Sequence, residues 1–514
     1  MNLINYMIGI DMGTTSTKAV LFEENGKVIT SATNEYPLHT PNSSVAEQDP
    51  EQIFNAVLES VRQVMVKSGV RPEQIMFAAF SSAMHSVIAV DENGTPLTAC
   101  ITWADNRSAA WASKLKHEMG GHEIYLRTGT PVHPMSPLTK LIWLREDHPE
   151  IFNRTSKFIS IKEYVTAKLF HEYVVDHSIA SSTGLLNLQQ LDWDEEALRI
   201  AGITKDRLSQ LVPTTYKLDK LDPIYAGVMG LLPSTPFVIG ASDGVLSNLG
   251  VNAIEPGVLA ATIGTSGAIR TVVDKPVTDP KGRTFCYALT DKHWVIGGPV
   301  NNGGMIFRWV RDEFAASEVE TAKRLGINPY DVLTKIAERV RPGSDGLLFH
   351  PYLTGERAPL WNPDARGSFF GLTLHHKKEH MVRSVLEGVI FNMYTVLLAM
   401  KEQMEPSVIQ ATGGFARSPI WRQMMADIFD QEVIVPESFE SSCLGAVVLG
   451  LYALGKVDSL SIVSTMVGPT HRHTPIHENV EMYQELLPIY IRISRNLEEE
   501  YAAISKIQRR ILDK

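Results

Sequence analysis

The chain has 514 residues, 44% of them hydrophobic and 21% charged, the balance of an ordinary globular protein with room for roughly two to four domains. Its net charge of −10 argues against a broad nucleic-acid-binding face, though not against a discrete basic pocket for an anion. Three scattered cysteines, Cys100, Cys286 and Cys443, exclude a disulfide framework or cysteine zinc site, and without a signal-like leader or an apolar run of about 18 residues the expectation is a cytoplasmic protein with no membrane span and no nucleic-acid partner.

In chain order, two apolar β-rich runs between Ile8 and Phe22 flank a short polar turn and predict a hairpin. Asp11 ends the first strand, Gly13 permits the turn, and Thr14, Thr15, Ser16 and Lys18 gather polar groups around it. Such a turn can hold phosphate oxygens, and a carboxylate beside it can hold Mg²⁺; an ordinary hairpin stays open. A helix is announced by Asp49 as N-cap, Pro50 at the first position and Gln52 at the capping-box position. Ile53, Val57, Val61, Val64 and Met65 continue it at helical spacing until Gly69. Ile75–Phe80 predicts a buried strand, followed by a polar turn ending in Met84-His85.

Residues 100–235 are richer in helical patterns and read as an insertion that shapes a pocket. There Trp103, Asp105 and Arg107 combine an aromatic plate, a carboxylate and a guanidinium, a mixture suited to a polyhydroxylated ligand, and an arginine can grip a carboxylate bidentately. A helix start with a surface ion pair is the alternative. The strand-like run Pro236–Gly240 leads to Asp243, placed either to accept a proton from a substrate hydroxyl or to cap the next helix.

From about residue 252 the order of features restarts. The run Leu259–Val273 echoes the first hairpin, with Gly264-Thr265-Ser266 matching Gly13-Thr14-Thr15. Ile409–Ser418 likewise matches Phe77–Ser86. Gly413 and Gly414 allow close approach of a flat ligand such as a purine, while Ser418 and Pro419 suit a helix start. The α/β alternation and this echo predict two related domains, residues 1–250 and 251–514, facing a central cleft. There is no P-loop and no protein-kinase motif set. His375, His376 and His380, and His471, His473 and His477, lack the spacing and acidic partners of a zinc site and are read as solvated turns or helix starts.

Two longer motifs carry a resemblance. One runs Gly367–Leu372, then seven residues, then His380–Glu387; the other is Met135–Glu146, departing only at Asp147. With Pro351–Pro359 and Glu47–Pro50, these resemble the FGGY family of carbohydrate kinases over essentially the whole chain. The resemblance implies two actin-like (ribonuclease H-like) ATPase domains that close on ATP, Mg²⁺ and a sugar or sugar acid. It implies that Asp243 is the general base and, with Asp11, a metal contact. Thr14, Thr15, Ser16, Lys18, Gly264 and Thr265 would hold phosphates, and Gly304, Gly413, Gly414 and Ser418 would line the nucleotide site. Met84, His85, Trp103 and Asp105 would meet the substrate, with Arg107 and His85 as candidates for a substrate carboxylate. The stretches 80–89, 101–108, 239–250 and 295–304 resemble members acting on D-gluconate. The expected reaction is ATP-dependent phosphorylation of D-gluconate to 6-phospho-D-gluconate. A pentulose such as xylulose is the alternative acceptor, a non-kinase actin-like ATPase the remote one, and a homodimer is the family's habit.

Overall fold

The computed structural model describes residues 5–436 and 440–512. The chain folds into two compact units: Met1–Glu255 with Val272–Ile296 and Glu440–Gly468, and Pro256–Thr271 with Gly297–Phe439 and Pro469–Lys514.

The first unit is built on a six-stranded sheet. Its strands are β1 (Tyr6–Met12), β2 (Ser16–Glu23), β3 (Val28–Glu35), β4 (Ile75–Ser82), β5 (Lys217–Leu218) and β6 (Phe237–Ser242), in the order β5-β6-β4-β1-β2-β3. β1, β4 and β6 are parallel; β2, β3 and β5 are antiparallel to their neighbours. Side chains alternate between two buried faces. Ile8, Ile10, Leu21 and Phe80 join one core with Ile53, Val57, Val61 and Val64 of the helix Pro50–Ser68. Met7, Val20, Phe22 and Phe77 join another with Cys443, Val447 and Val448. Burying both faces explains why these strands read as nearly continuous apolar runs.

The helix Pro50–Ser68 begins and ends as expected, at Asp49 and at left-handed Gly69. The capping box does not form: Asp49 accepts from Glu51 N at 2.8 Å, and Gln52 donates to the Asp49 side chain instead of accepting from the Asp49 backbone N–H.

The late segment Glu440–Gly468 packs inside the first unit, which a boundary near residue 250 does not anticipate. Its helix Ser441–Ala453 lies almost backbone to backbone on the helix Asp243–Gly250. A Cβ on Gly250 would sit 1.8 Å from Ser441 O, and one on Gly445 would sit 2.0 Å from Leu246 O.

In the second unit, β7 (Val258–Ile263), β8 (Gly267–Val273), β9 (Trp294–Val300), β10 (Val408–Thr412), β11 (Val433–Pro436) and β12 (Thr470–His473) run in the order β9-β8-β7-β10-β11-β12. β7/β8 are antiparallel, β7/β10 and β10/β11 parallel, and β11/β12 antiparallel. These six strands, of a sheet of seven, repeat the order β3-β2-β1-β4-β6-β5, the topology behind the echo in the sequence. The helix Lys378–Met400 is, by length and composition only, apolar enough to cross a membrane, but it carries Arg383 and Glu387 and 78% of its apolar window is buried inside the protein, as befits a core helix.

His350 in this unit donates Nε2–H to Tyr490 O at 3.0 Å, and its Nδ1 meets Ser368 Oγ at 3.2 Å. Burial lowers its pKa from 6.5 to about 4. The unfolded chain therefore binds more protons across that interval, and folding stability falls as pH drops through it, by about 3 kcal/mol in all. Denaturant midpoints between pH 7 and pH 4 should show this loss, and His350→Gln should flatten it.

Candidate active site

The parallel register places the C-terminal ends of three adjacent strands side by side. Asp11 pairs with Ser81, and Ser81 with Ala241; Met12 pairs with Ser82, and Ser82 with Ser242. Asp11 and Asp243 thus share one sheet edge, two strands or roughly 10 Å apart. The carboxyl ends of parallel strands are where α/β sheets bind ligands.

In the β1–β2 turn, Gly13 N donates to Ser16 O at 2.9 Å. Thr14 Oγ1 accepts from Trp103 Nε1 at 2.9 Å, and Gln48 donates to Thr14 O. Thr15 is exposed and Ser16 half-buried. Asp11 accepts one hydroxyl on each oxygen, from Ser81 at 2.7 Å and Ser442 at 2.9 Å. Burial raises its pKa, and those hydroxyls and Lys18 oppose the rise. Lys18 itself is paired with Glu440 at 3.0 Å. Ser442 and Glu440 lie more than 400 residues from their partners, and no local pattern announces them.

Asp243 is the first residue of its helix; the cap position falls to Ser242. The Asp243 carboxylate accepts from Gly244 N at 2.6 Å and is partly exposed. β6 reaches this point through a bulge: the register shifts between Val238 and Ala241, and Gly240 has φ +68°. A Cβ there would lie 1.8 Å from Phe80 O.

The residues expected to meet substrate are largely tied to the protein. Asp105, 1% exposed, accepts from Ala46 N and from the Arg107 backbone and guanidinium. Arg107 also pairs with Glu47 and stacks on Trp143 at 4.7 Å. His85 donates Nδ1–H to Ser182 O at 2.7 Å, and its Nε2 is 3.5 Å from Tyr287 Oη. Met84 is half-buried against two apolar clusters. Beneath them, fully buried Lys140 of the Met135–Glu146 motif donates to His85 O at 3.2 Å and to Met135 O; burial lowers its pKa to about 7, with Asp105 opposing. Arg107 thus lies between two carboxylates rather than presenting an unpaired cation. Arg107→Ala should cost roughly 3 kcal/mol by leaving Asp105 and Glu47 facing each other without a counter-ion, a loss visible in chemical denaturation with or without substrate.

In the second unit, Gly264 N donates to Ser266 O at 2.9 Å, closing a turn one residue shorter than the Gly13–Ser16 turn. The helix Gly304–Phe314 docks on this turn through Gly304 N to Gly264 O at 2.7 Å and Met305 N to Thr265 O at 3.2 Å. A Cβ on Gly304 would lie 2.6 Å from Gly264 O, so this glycine serves the docking. Gly413, at φ +101°, passes so close that a Cβ would be 2.4 Å from Ile263 O. A Cβ on Gly414 would meet nothing within 4 Å, and one on Gly264 nothing nearer than 3.9 Å. Room for a ligand thus opens at Gly414, Gly264 and exposed Thr265. Ser418 caps the helix Pro419–Phe429, as expected.

The first histidine group gains an acidic partner that local spacing does not reveal: Asp345 accepts from His375 at 3.1 Å and His380 at 3.3 Å. With Arg341 the largest cause, these contacts lower the Asp345 pKa to about 2. The three side chains have metal-ligand proximity. However, His380 Nδ1 accepts from Lys377 N at 3.1 Å, so its neutral ring carries the proton on Nε2, the nitrogen facing Asp345. That tautomer donates a hydrogen bond to Asp345 and leaves no lone pair there for a metal.

Comparison with known proteins agrees with this geometry. Residues 6–250 match the FGGY family of carbohydrate kinases, N-terminal domain, and residues 259–454 match its C-terminal domain. The protein named Gluconokinase from Bacillus subtilis (strain 168) is 65% identical over 513 residues, 99% of each chain. Xylulose kinase of the same strain is 27% identical over 510 residues, 98% of this chain and 100% of that one. The crystal structure of a gluconate kinase from Lactobacillus acidophilus superposes with a TM-score of 0.92 at 39% identity, covering 98% of this chain and 100% of that one. A ligand-bound structure named as xylulose kinase, from the same organism, matches with the same figures. With the strand order of the first sheet repeated in the second half and both family domains matched in order, the chain belongs to the FGGY family of carbohydrate kinases.

Proposed function

We propose that this chain transfers the γ-phosphoryl group of ATP to the terminal hydroxyl of D-gluconate, giving 6-phospho-D-gluconate and ADP. The observation that carries the acceptor is the 65% identity to a gluconokinase across 99% of both chains, against 27% to a xylulose kinase. Asp243, at the carboxyl edge of the first sheet, takes the proton from the attacking hydroxyl. The oxygen forms its new bond to phosphorus as the bond to the β,γ-bridging oxygen breaks. Positioning and electrostatics supply most of the acceleration in such transfers. Thr14, Thr15 and Ser16 are the candidate phosphate contacts of the first unit, and Gly264 and Thr265 those of the second, each taken by itself. The open space at Gly414 takes the nucleotide, with Gly413 bringing the backbone close.

Asp11 suits Mg²⁺: its carboxylate is held in place by two hydroxyls on a strand end beside the phosphate turn. When bound, Mg²⁺ neutralises part of the triphosphate charge. Lys140 fixes the His85 carbonyl, and the Arg107–Asp105–Glu47 group is the charged part of the candidate acceptor region that includes Met84, His85 and Trp103. The xylulose reading is favoured by one observation: a solved structure 39% identical to this chain bears the name xylulose kinase. A panel of D-gluconate, D-xylulose, glycerol and other polyols, read by ADP release, decides between them. Gluconate should give the highest kcat/KM, and a higher value for xylulose would overturn the assignment.

A further inference from the structure

We infer that Lys162 is a positioning residue for Asp243, acting from behind the strand end through a buried polar network. The inference rests on the reading of Asp243 as the base. Lys162 lies near the start of the helix Ile161–Phe170, with its side chain 2% exposed. Its ammonium makes three hydrogen bonds: to Asp176 Oδ2 at 2.7 Å, Ile239 O at 3.1 Å and Ala241 O at 3.2 Å. An ammonium has three donors, so this tripod is saturated. The two carbonyls flank Gly240, where β6 shifts register against β4.

The network continues to the residue before the base. Asp176 also caps Ile179 N at 3.0 Å, at the start of the short helix His177–Ser181. Ser178 of that turn accepts from Ser242 N and donates to Ser242 Oγ, both at 3.1 Å. Lys162, Asp176, Ser178 and Ser242 are all buried. The bulge on one side of Asp243 and the cap residue next to it are therefore held by one connected group.

A buried ion pair is weak evidence for stability, because well-packed apolar side chains of similar volume often do as well. Here the pair does what no apolar residue could: it holds two carbonyls at a kinked strand end in a single geometry. Burial lowers the Lys162 pKa, while Asp176, Glu163 and Asp243 oppose that shift. The ammonium and the base therefore interact electrostatically across the strand end. Displacing a catalytic group by about 1 Å can cost on the order of 100-fold in rate.

The test compares Lys162→Met and Ser178→Ala, each alone and combined with Asp243→Asn, by ADP release with saturating and limiting ATP and D-gluconate. Lys162→Met should lower kcat at least ~10-fold while both KM values stay within about 3-fold, and Ser178→Ala should lower kcat by a smaller factor. In the Asp243→Asn background neither change should lower the residual turnover by more than about 2-fold, because residues acting through one group are non-additive. Unchanged kcat in folded Lys162→Met, or an equal loss with and without Asp243, would overturn the inference. Where Lys162→Met does not fold, Ser178→Ala decides: a normal kcat overturns the proposal, and a kcat loss that disappears in the Asp243→Asn background supports it. Near-normal turnover of Asp243→Asn alone would instead overturn the assignment of the base.

Discussion

Replacing Asp243 with Asn is expected to abolish most turnover while leaving ATP and gluconate binding in place. The side chain keeps its volume and one acceptor oxygen for Gly244 N, which now donates to it at 2.6 Å. What it loses is the ability to take a proton. General-base removal costs about 100- to 10,000-fold in rate. The loss should fall on kcat, since a base acts in the transition state rather than in binding. ADP release, with binding followed separately by calorimetry, checks both halves. Turnover within a few-fold of the parent would remove Asp243 from the mechanism.

The largest expected structural effect comes from Gly240→Ala. The residue sits at φ +68° in the bulge of β6, and its Cβ would lie 1.8 Å from the carbonyl oxygen of Phe80 on the adjacent strand. Left-handed backbone costs a non-glycine residue of order 1 kcal/mol or more. The clash cannot be relieved by rotating a side chain, because both atoms belong to the backbone framework. A loss of about 3 kcal/mol or more is expected, from strain and overpacking together. The strand end carrying Ser242 and Asp243 should move with it. A variant with an unchanged denaturation midpoint and unchanged kcat would contradict this account of the bulge.

Much of the first hairpin was legible because its determinants are local. Alternating β-rich residues, a small polar turn and Gly13 lie within one short stretch, and the structure shows the strands and the Gly13–Ser16 closure there. The helix Pro50–Ser68 was legible for the same reason, its limits being written in Asp49, Pro50 and Gly69. The capping box does not form because the Gln52 side chain turns its amide N–H to the Asp49 carboxylate instead of offering its oxygen to the Asp49 backbone N–H. The partners of Arg107 were not legible beyond Asp105. Glu47 reaches it because the residue pairs Glu47–Ile101 and Gln48–Cys100 lie side by side in a short antiparallel ladder. Asp345 likewise reaches His375 and His380 only through the fold.

By itself the sequence determined the two hairpins with their small polar turns, the order in which the second half repeats the first, and the family motifs, all of which depend on residues adjacent or nearly adjacent in the chain. Tertiary structure alone decided how the charges pair and what stands behind Asp243. Asp11 is held by Ser81 and Ser442, Lys18 by Glu440, and the strand end before Asp243 by Lys162 and Ser178. The physical reason is that hydrogen bonds and ion pairs act over a few ångströms of space, whatever the distance along the chain. Only the packing of Ser441–Ala453 on Asp243–Gly250 and the bulge at Gly240 bring those groups within reach.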